Sequence, residues 1–149
     1  MMNVLAALAL LPAAVPQTSL PSPTTLLPGK WDVTSTMVDA VIPGAPGFLV
    51  RMMRGKSKAE HKRVIAGQTI EVLLAPDPKA KCRVDAQRIA DGRYTQQLSC
   101  PQKRGEAMRI ARAGTYSRDG FAGRATVSGT TPKGALNIVL DQRAGRVGD

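Results

Sequence analysis

The chain has 149 residues, of which 43% are hydrophobic and 21% charged, as is usual for one folded domain. Lys and Arg number 21 against 11 Asp and Glu, which gives a formal net charge of +10. One histidine and two cysteines are too few for a zinc finger and argue against a haem or iron–sulfur protein. We therefore expect neither a metal site nor a cofactor.

An uncharged apolar run lies near the start of the sequence. Residues 4–15 read VLAALALLPAAV, which is about half the length of a membrane-spanning helix and suits the apolar region of a secretory signal peptide. A Pro-rich stretch follows at once. We predict a signal peptide over 1–19, a tether over 20–29 and a single β-rich domain over 30–149, in a periplasmic or secreted bacterial protein. A buried apolar helix at the amino end is the alternative.

Apolar residues recur at every second position from residue 30 onward, which is the pattern of strands with one buried face. Trp31, Val33 and Met37 share one face of the first such run. Later runs alternate in the same way over 69–74, 121–128 and 136–140. Asp-Gly and Pro-Lys-Gly turn signals lie between runs. We predict a mainly β fold, with six or seven antiparallel strands in a meander that forms a curved sheet or open barrel, interrupted by one short helix.

The two cysteines indicate a disulfide if the chain is exported. A three-residue loop at 90–92 would place Ile89 opposite Arg93 and, counting outward, Cys82 opposite Cys100. That register also gives the hairpin one largely apolar and one polar face. A two-residue loop at the Asp-Gly pair shifts the register by one residue and separates the sulfurs. Two buried free thiols are the other alternative.

A basic segment covers residues 51–63, with six basic residues against one Glu. Phe48 and Met52 lie four residues apart, so they would share one face of a short helix opened by the preceding proline. Leu49 and Met53 do the same. Such a segment suits an anionic membrane surface or an acidic envelope polymer, whereas the alternative is a helix across one end of the sheet with its charges in solvent. The candidate binding residues are Arg51, Arg54, Lys56, Lys58, Lys62 and Arg63.

Nucleic-acid binding and catalysis find little support in the sequence. Basic charge alone gives non-specific binding, and the aromatic residues are too scattered for a stacking platform, so we expect no specific nucleic-acid partner. His61, the only histidine, lies between Glu60 and Lys62, where a solvated surface position is its expected role. No nucleophile elbow, zinc-protease motif or phosphate-binding glycine loop occurs, and we name no catalytic residue.

Short motifs resemble those of one bacterial family of exported proteins. Residues 28–34 read PGKWDVT, similar to the opening PG-x-W-x-V-T, and residues 43–47 resemble a proline-glycine stretch. Residues 73–77, LLAPD, are similar to C-L-T-P-E, and the closing 143–149, RAGRVGD, resembles G-R-x-G-x-C. The chain thus resembles domain-of-unknown-function family 3617 over most of 28–149. The resemblance implies a small, exported, β-rich protein and no particular activity.

Two positions depart from the family pattern. Leu73 stands where the family usually has its first cysteine, and Asp149 stands where a final cysteine would follow or sit. If the missing cysteines are partners in the family, the resemblance implies that this chain lacks one bridge and keeps Cys82 and Cys100. A truncated carboxyl end is the alternative.

Two functions remain open from the sequence. The first is a non-enzymatic envelope protein that binds a ligand in the sheet concavity or a surface through the basic segment. The second is a small periplasmic enzyme, hydrolase-like, with an unrecognised site. An apolar pocket without titratable groups would favour the first. A cleft with two convergent carboxylates, or with His61 hydrogen-bonded to one, would favour the second.

Overall fold

A computed structural model describes residues 12–16 and 24–149 of the chain. The predicted signal peptide over 1–19 and the first part of the tether over 20–29 fall mostly outside the described residues. Among those that are described, no helix is both long enough and apolar enough to cross a bilayer.

Seven antiparallel strands form one sheet, as the alternating sequence predicts. The strands are β1 Gly29–Val41, β2 Ser57–Val64, β3 Arg83–Ala90, β4 Arg93–Cys100, β5 Met108–Ser117, β6 Gly120–Thr131 and β7 Gly134–Gly148. Their order across the sheet is β2-β1-β7-β6-β5-β4-β3. The first and last strands of this order are β2 and β3, so they form two unpaired edges. The predicted meander is confirmed as an open sheet.

The predicted short helix is present as α1, Gly47–Met53, between β1 and β2. The strand predicted over 69–74 is wrong, because this stretch forms a second helical turn, α2, Glu71–Leu74. Leu73 and Leu74 of α2 are buried, as is Ile70 at its N-cap, and the Leu74 amide donates to the Ile70 carbonyl at 3.0 Å. The buried set therefore follows the i, i+3, i+4 spacing of a helix. In so short an apolar run, alternation does not distinguish the two structures.

The turn of the β3–β4 hairpin differs from the prediction. It is the two-residue loop Asp91-Gly92, and both residues have positive φ, 54° and 76°. Asp tolerates this conformation, and two such residues make the turn whose twist matches that of paired strands. Ile89 therefore lies opposite Tyr94, and the predicted pairing of Ile89 with Arg93 is wrong.

A β-bulge brings the cysteines together in spite of the shorter loop. The register shifts by one residue between Val84 and Ala86, so Asp85 is the extra residue of β3. Beyond the bulge Val84 lies opposite Leu98, as predicted. Cys82 and Cys100 form a disulfide, with their Cα atoms 4.1 Å apart. The predicted disulfide is confirmed, but it depends on a bulge that the sequence analysis did not foresee.

The carboxylate of Asp85 holds the two strands together at the bulge. It accepts hydrogen bonds from the Ser99 hydroxyl of β4 and, at 2.7 Å, from Nε of Arg83. The bond from Ser99 and then the bond from Arg83 lower the pKa of Asp85 below its usual value. The charged form of this residue is therefore favoured in the folded state.

Replacing Asp85 should reduce the loss of stability that the protein undergoes at acid pH. Because its pKa is lower in the folded state, Asp85 stabilises the fold above the usual aspartate pKa of about 3.9, and this contribution is lost as the pH falls through the folded pKa. Urea midpoints measured from about pH 6 to about pH 2 should fall less in Asp85→Asn than in the wild type. Asp119→Asn, at an exposed turn, should follow the wild type. Parallel curves for the wild type and Asp85→Asn would contradict this role.

The hydrophobic core lies between one face of the sheet, here called the inner face, and α2. Aromatic residues from β1, β4 and β6 form its largest part, and the rings of Tyr94 and Phe121 meet edge to face with centroids 5.3 Å apart. The buried members of this cluster are Leu26, Trp31, Val33, Val64, Ile70, Leu73, Leu74, Tyr94, Phe121 and Ala144.

Candidate functional site

The edge linker, residues 65–82, joins the two edge strands and carries α2 across the inner face. Lys62 of β2 holds this linker from one side. Its Nζ donates to the carbonyl oxygen of Ala75 at 2.6 Å and to those of Val72 and Leu73 at 3.4 Å each. These carbonyls lie at the carboxyl end of α2, where a cation is favoured. Burial lowers the pKa of Lys62 below its usual value.

Arg112 of β5 holds the linker from the other side. Its Nη1 donates to the carbonyl oxygen of Leu74 at 3.0 Å and to Oε1 of Gln96 at 2.9 Å, while its Nε donates to Oε1 of Gln142 at 2.8 Å. Gln96 also donates to the Leu74 carbonyl, at 3.0 Å. The guanidinium of Arg112 lies 5.6 Å from the centroid of the Phe121 ring. One backbone oxygen thus receives two side-chain donors.

The inner face must be curved for both anchors to reach the linker. Three strands separate β2 from β5, which in a flat sheet is a distance of about 19 Å. Lys62 and Arg112 nevertheless bind the carbonyls of consecutive residues, Leu73 and Leu74. The linker therefore lies in the concavity of the sheet and spans its open side.

Arg112 is buried without a carboxylate partner. Only 8% of the residue is exposed, and no ion pair within residues 24–149 includes it. Its hydrogen-bond acceptors are all neutral, and its Nη2 has no hydrogen-bond partner among the described residues. Burial lowers the pKa of Arg112. The carboxylate of Glu60, which lines the same cavity, attracts Arg112 without forming an ion pair with it. A buried guanidinium without a hydrogen-bonded counter-charge is an unusual arrangement.

A cavity of about 440 Å³ lies beside Arg112, between the inner face and the linker. Its large apolar side chains come from four strands and α2, and its polar lining includes two cations and two carboxylates. The apolar side chains are Val33, Leu73, Ile110, Val127 and Leu140, with Ala and Pro residues of the linker. The polar ones are Ser35, Lys58, Glu60, Asp77, Arg112 and Gln142. Apolar side chains thus form much of the cavity wall, and titratable side chains line it as well.

The sequence analysis missed this cluster, although a signal was available. Arg112 lies on the same face of β5 as Ile110, where the alternation calls for an apolar residue. Gln96 likewise lies between Tyr94 and Leu98 on the buried face of β4. A charged or amide side chain inside an apolar alternation marks a buried polar site, because such groups are buried only where they have partners.

Tyr94 occupies the inner face next to this network. It is 1% exposed, and its hydroxyl has no hydrogen-bond partner among the described residues. Burial raises the pKa of Tyr94. A Cβ atom added at Gly123 would lie 2.3 Å from the Tyr94 oxygen and 2.3 Å from the carbonyl oxygen of Ala113. Glycine at this position, and at the paired Gly114, therefore makes room for the ring.

The basic residues of the predicted segment lie in separate places. Arg51 belongs to α1 and Arg54 ends it, and Nη2 of Arg54 donates to Asp39 at 2.9 Å. That bond is the first cause of the lowered pKa of Asp39. Lys56 follows in the turn before β2 and is exposed.

The remaining three basic residues lie on β2 itself. Lys58 lines the cavity and Lys62 binds the linker, so both serve the inner face. Arg63 is exposed and belongs to the opposite, outer face, because side chains alternate along a strand. The six residues do not form one continuous patch.

His61 forms a hydrogen bond with Asp32, a partner that the sequence analysis did not identify. It lies opposite Asp32 in the β1–β2 ladder, and its Nδ1 is 2.5 Å from Oδ1 of Asp32. The His61 side chain is 81% exposed, as expected for a surface position, and neither residue lines the cavity. In the part of the chain that is described, no three His, Cys, Asp or Glu side chains are grouped to hold a metal ion.

Adding a methyl group at Gly123 should disturb the tyrosine and with it the site. We expect Gly123→Ala to lower the free energy of unfolding by about 2–3 kcal/mol, since both the Tyr94 ring and a backbone carbonyl would have to move. Gly145→Ala is the matched control, because an added Cβ there meets no atom within 4 Å. Equal urea midpoints for the two variants would show that Tyr94 does not fill this space.

Comparison with known proteins adds one relationship. A family model described as "Protein of unknown function (DUF3617)" matches residues 26–149. No match is found among curated proteins or among solved structures.

Proposed function

Because the chain belongs to the DUF3617 family, whose description gives no activity, we propose a function from the geometry of the cavity. The protein binds a small amphiphile on the inner face. The apolar part of that molecule packs on the sheet, and its anionic group lies at Arg112.

Buried Arg112 carries this proposal. A guanidinium has five N–H donors, and the neutral oxygens around Arg112 engage only Nε and Nη1. An anionic group in the cavity would supply an acceptor for Nη2 and an ion-pair partner for the guanidinium. Arginine suits this task, because its planar fork matches a carboxylate or phosphate group.

The volume and lining of the cavity suit a small amphiphile. A volume of about 440 Å³ is within the usual range of small-molecule sites, about 300–1,000 Å³. Val127 and Leu140 offer apolar surface, and Gln142 and Ser35 continue the hydrogen-bond network from Arg112 along the cavity wall. An elongated molecule with one anionic end would match both parts.

The disulfide supports an accompanying proposal on location. A bond between Cys82 and Cys100 persists in an oxidising compartment, which agrees with the apolar run at residues 4–15. We therefore propose that the protein is periplasmic or secreted.

Two observations favour the alternative of an enzyme: the carboxylates of Glu60 and Asp77 both line the cavity, and His61 is hydrogen-bonded to Asp32. A carboxylate that orients a histidine is a common part of acid–base sites. Here, however, the histidine stands in solvent on the outer face and not in a cleft. We therefore propose a binding function and keep a hydrolase as the alternative.

Decanoate and decan-1-ol test the charge preference directly. They share an apolar chain, and only decanoate brings an anion to Arg112. By isothermal titration calorimetry the wild type should bind decanoate about tenfold or more tightly than the alcohol, since a charge-assisted hydrogen bond is worth about 1.5–3 kcal/mol. In Arg112→Gln this preference should disappear. Equal affinities in the wild type would contradict the proposal.

A cavity-filling pair of variants tests the location. Val127→Trp places a large ring in the cavity and should abolish decanoate binding. Thr126→Trp adds the same ring at the next residue of β6, on the outer face, and should bind as the wild type does. Thermal unfolding of both variants verifies that they fold. Unchanged decanoate binding by folded Val127→Trp would exclude the cavity as the site.

A further inference from the structure

Exposed hydrophobic side chains concentrate at one end of the sheet. Of the eleven large hydrophobic residues that are exposed in the described part of the chain, six lie between residues 38 and 53. They belong to the end of β1 and to α1. The six are Val38, Val41, Phe48, Leu49, Met52 and Met53.

α1 presents its apolar side chains outward. At about 100° per residue, positions 48, 49, 52 and 53 cover an arc of about 140° on the helix. Phe48 is 56% exposed and Met52 is 60% exposed, and no residue of α1 is buried. A helix with this pattern normally packs its apolar side on a protein core. In the described residues that side of α1 faces solvent.

Cations lie at the same end of the sheet as the exposed side chains. Arg51 stands among them in the sequence, and Lys56 follows them. The β4–β5 loop, with Lys103 and Arg104, and the β6–β7 turn, with Lys133, lie at the same end of the sheet because their strands begin or end there. Nε2 of Gln102 in this loop donates to the carbonyl oxygen of Thr130 at 3.2 Å, which links the loop to the end of β6.

Few carboxylates offset these cations. Glu106 is the acidic residue of the β4–β5 loop, and Asp39 is already bound to Arg54. The end of the sheet thus combines exposed apolar side chains with an excess of positive charge.

We propose that this end, the α1 end, docks on a lipid bilayer that contains anionic phospholipids. Phe48, Leu49, Met52 and Met53 enter the interface between headgroups and acyl chains, while Arg51, Lys56 and the loop cations lie among the phosphates. Apolar insertion and attraction to anionic lipid are the two contributions by which amphipathic segments bind membranes. A second copy of the chain would cover the apolar side chains too, but it would bring the same cations into apposition.

A tryptophan at position 48 tests the contact locally. The native Trp31 is fully buried, so it contributes a constant background. With Phe48→Trp in the full chain, brominated phosphatidylglycerol in mixed phosphatidylcholine vesicles should quench the added fluorescence at least about twofold. Val147→Trp is the control, since Val147 is 61% exposed and lies at the opposite end of the sheet. Equal quenching at the two positions would overturn the proposal.

Co-sedimentation with the same vesicles tests the strength of the contact. The double variant Phe48→Ser/Met52→Ser should lower the partition coefficient about tenfold relative to Ile65→Ser/Val147→Ser, which removes side chains of similar exposure at the other end. Both variants keep the same amino-terminal residues, so any affinity of that segment cancels. Binding should weaken at about 0.5 M salt and with phosphatidylcholine alone.

Sedimentation velocity separates the bilayer from a second copy. We expect the wild type and Phe48→Ser/Met52→Ser to have the same mass in solution. The proposal fails if the wild type is a dimer and the double variant is a monomer. It also fails if the double variant sediments with anionic vesicles as the wild type does.

Discussion

The side chains of Arg112 and Lys62 bind consecutive backbone carbonyls of one short helical turn from opposite sides of an open sheet. Because the two edge strands do not pair with each other, the edge linker is the element that spans the gap between them. Its α2 turn buries Leu73 and Leu74 in the core, and the two cations neutralise its carbonyl end. The curvature of the sheet, the core and the cavity all depend on where these contacts place the linker.

The same contacts explain why a cavity remains beside the core. Arg112 is too polar to pack against the sheet alone, and the oxygens of Gln96, Gln142 and Leu74 engage only part of its guanidinium. Burying a cation in this state carries a desolvation penalty. An apolar residue would serve a purely structural role without that penalty. The proposed ligand would give this guanidinium an ion-pair partner. The exposed apolar side chains of α1 take no part in these contacts.

The sequence predicted the sheet well because strand alternation and turn residues are local signals. The β3–β4 register was harder, since the bulge at Asp85 depends on bonds to Arg83 and Ser99 that exist only after the strands have paired. The run at 69–74 was misassigned, because four or five apolar residues fit either a strand or a helical turn until the core selects one. Cross-strand partners such as His61 and Asp32 were equally hidden, since their sequence separation carries no signal.

Hydrogen exchange in Arg112→Met tests most directly whether the buried cation holds the linker in place. The substituted side chain keeps apolar volume but cannot donate to the Leu74 carbonyl. We expect the amides of Leu73 and Leu74, which are bonded to Ile70 in the wild type, to exchange about tenfold or more faster, while those of β6 and β7 stay protected. Unchanged exchange at residues 73 and 74, or an equal loss of protection throughout the sheet, would contradict the account.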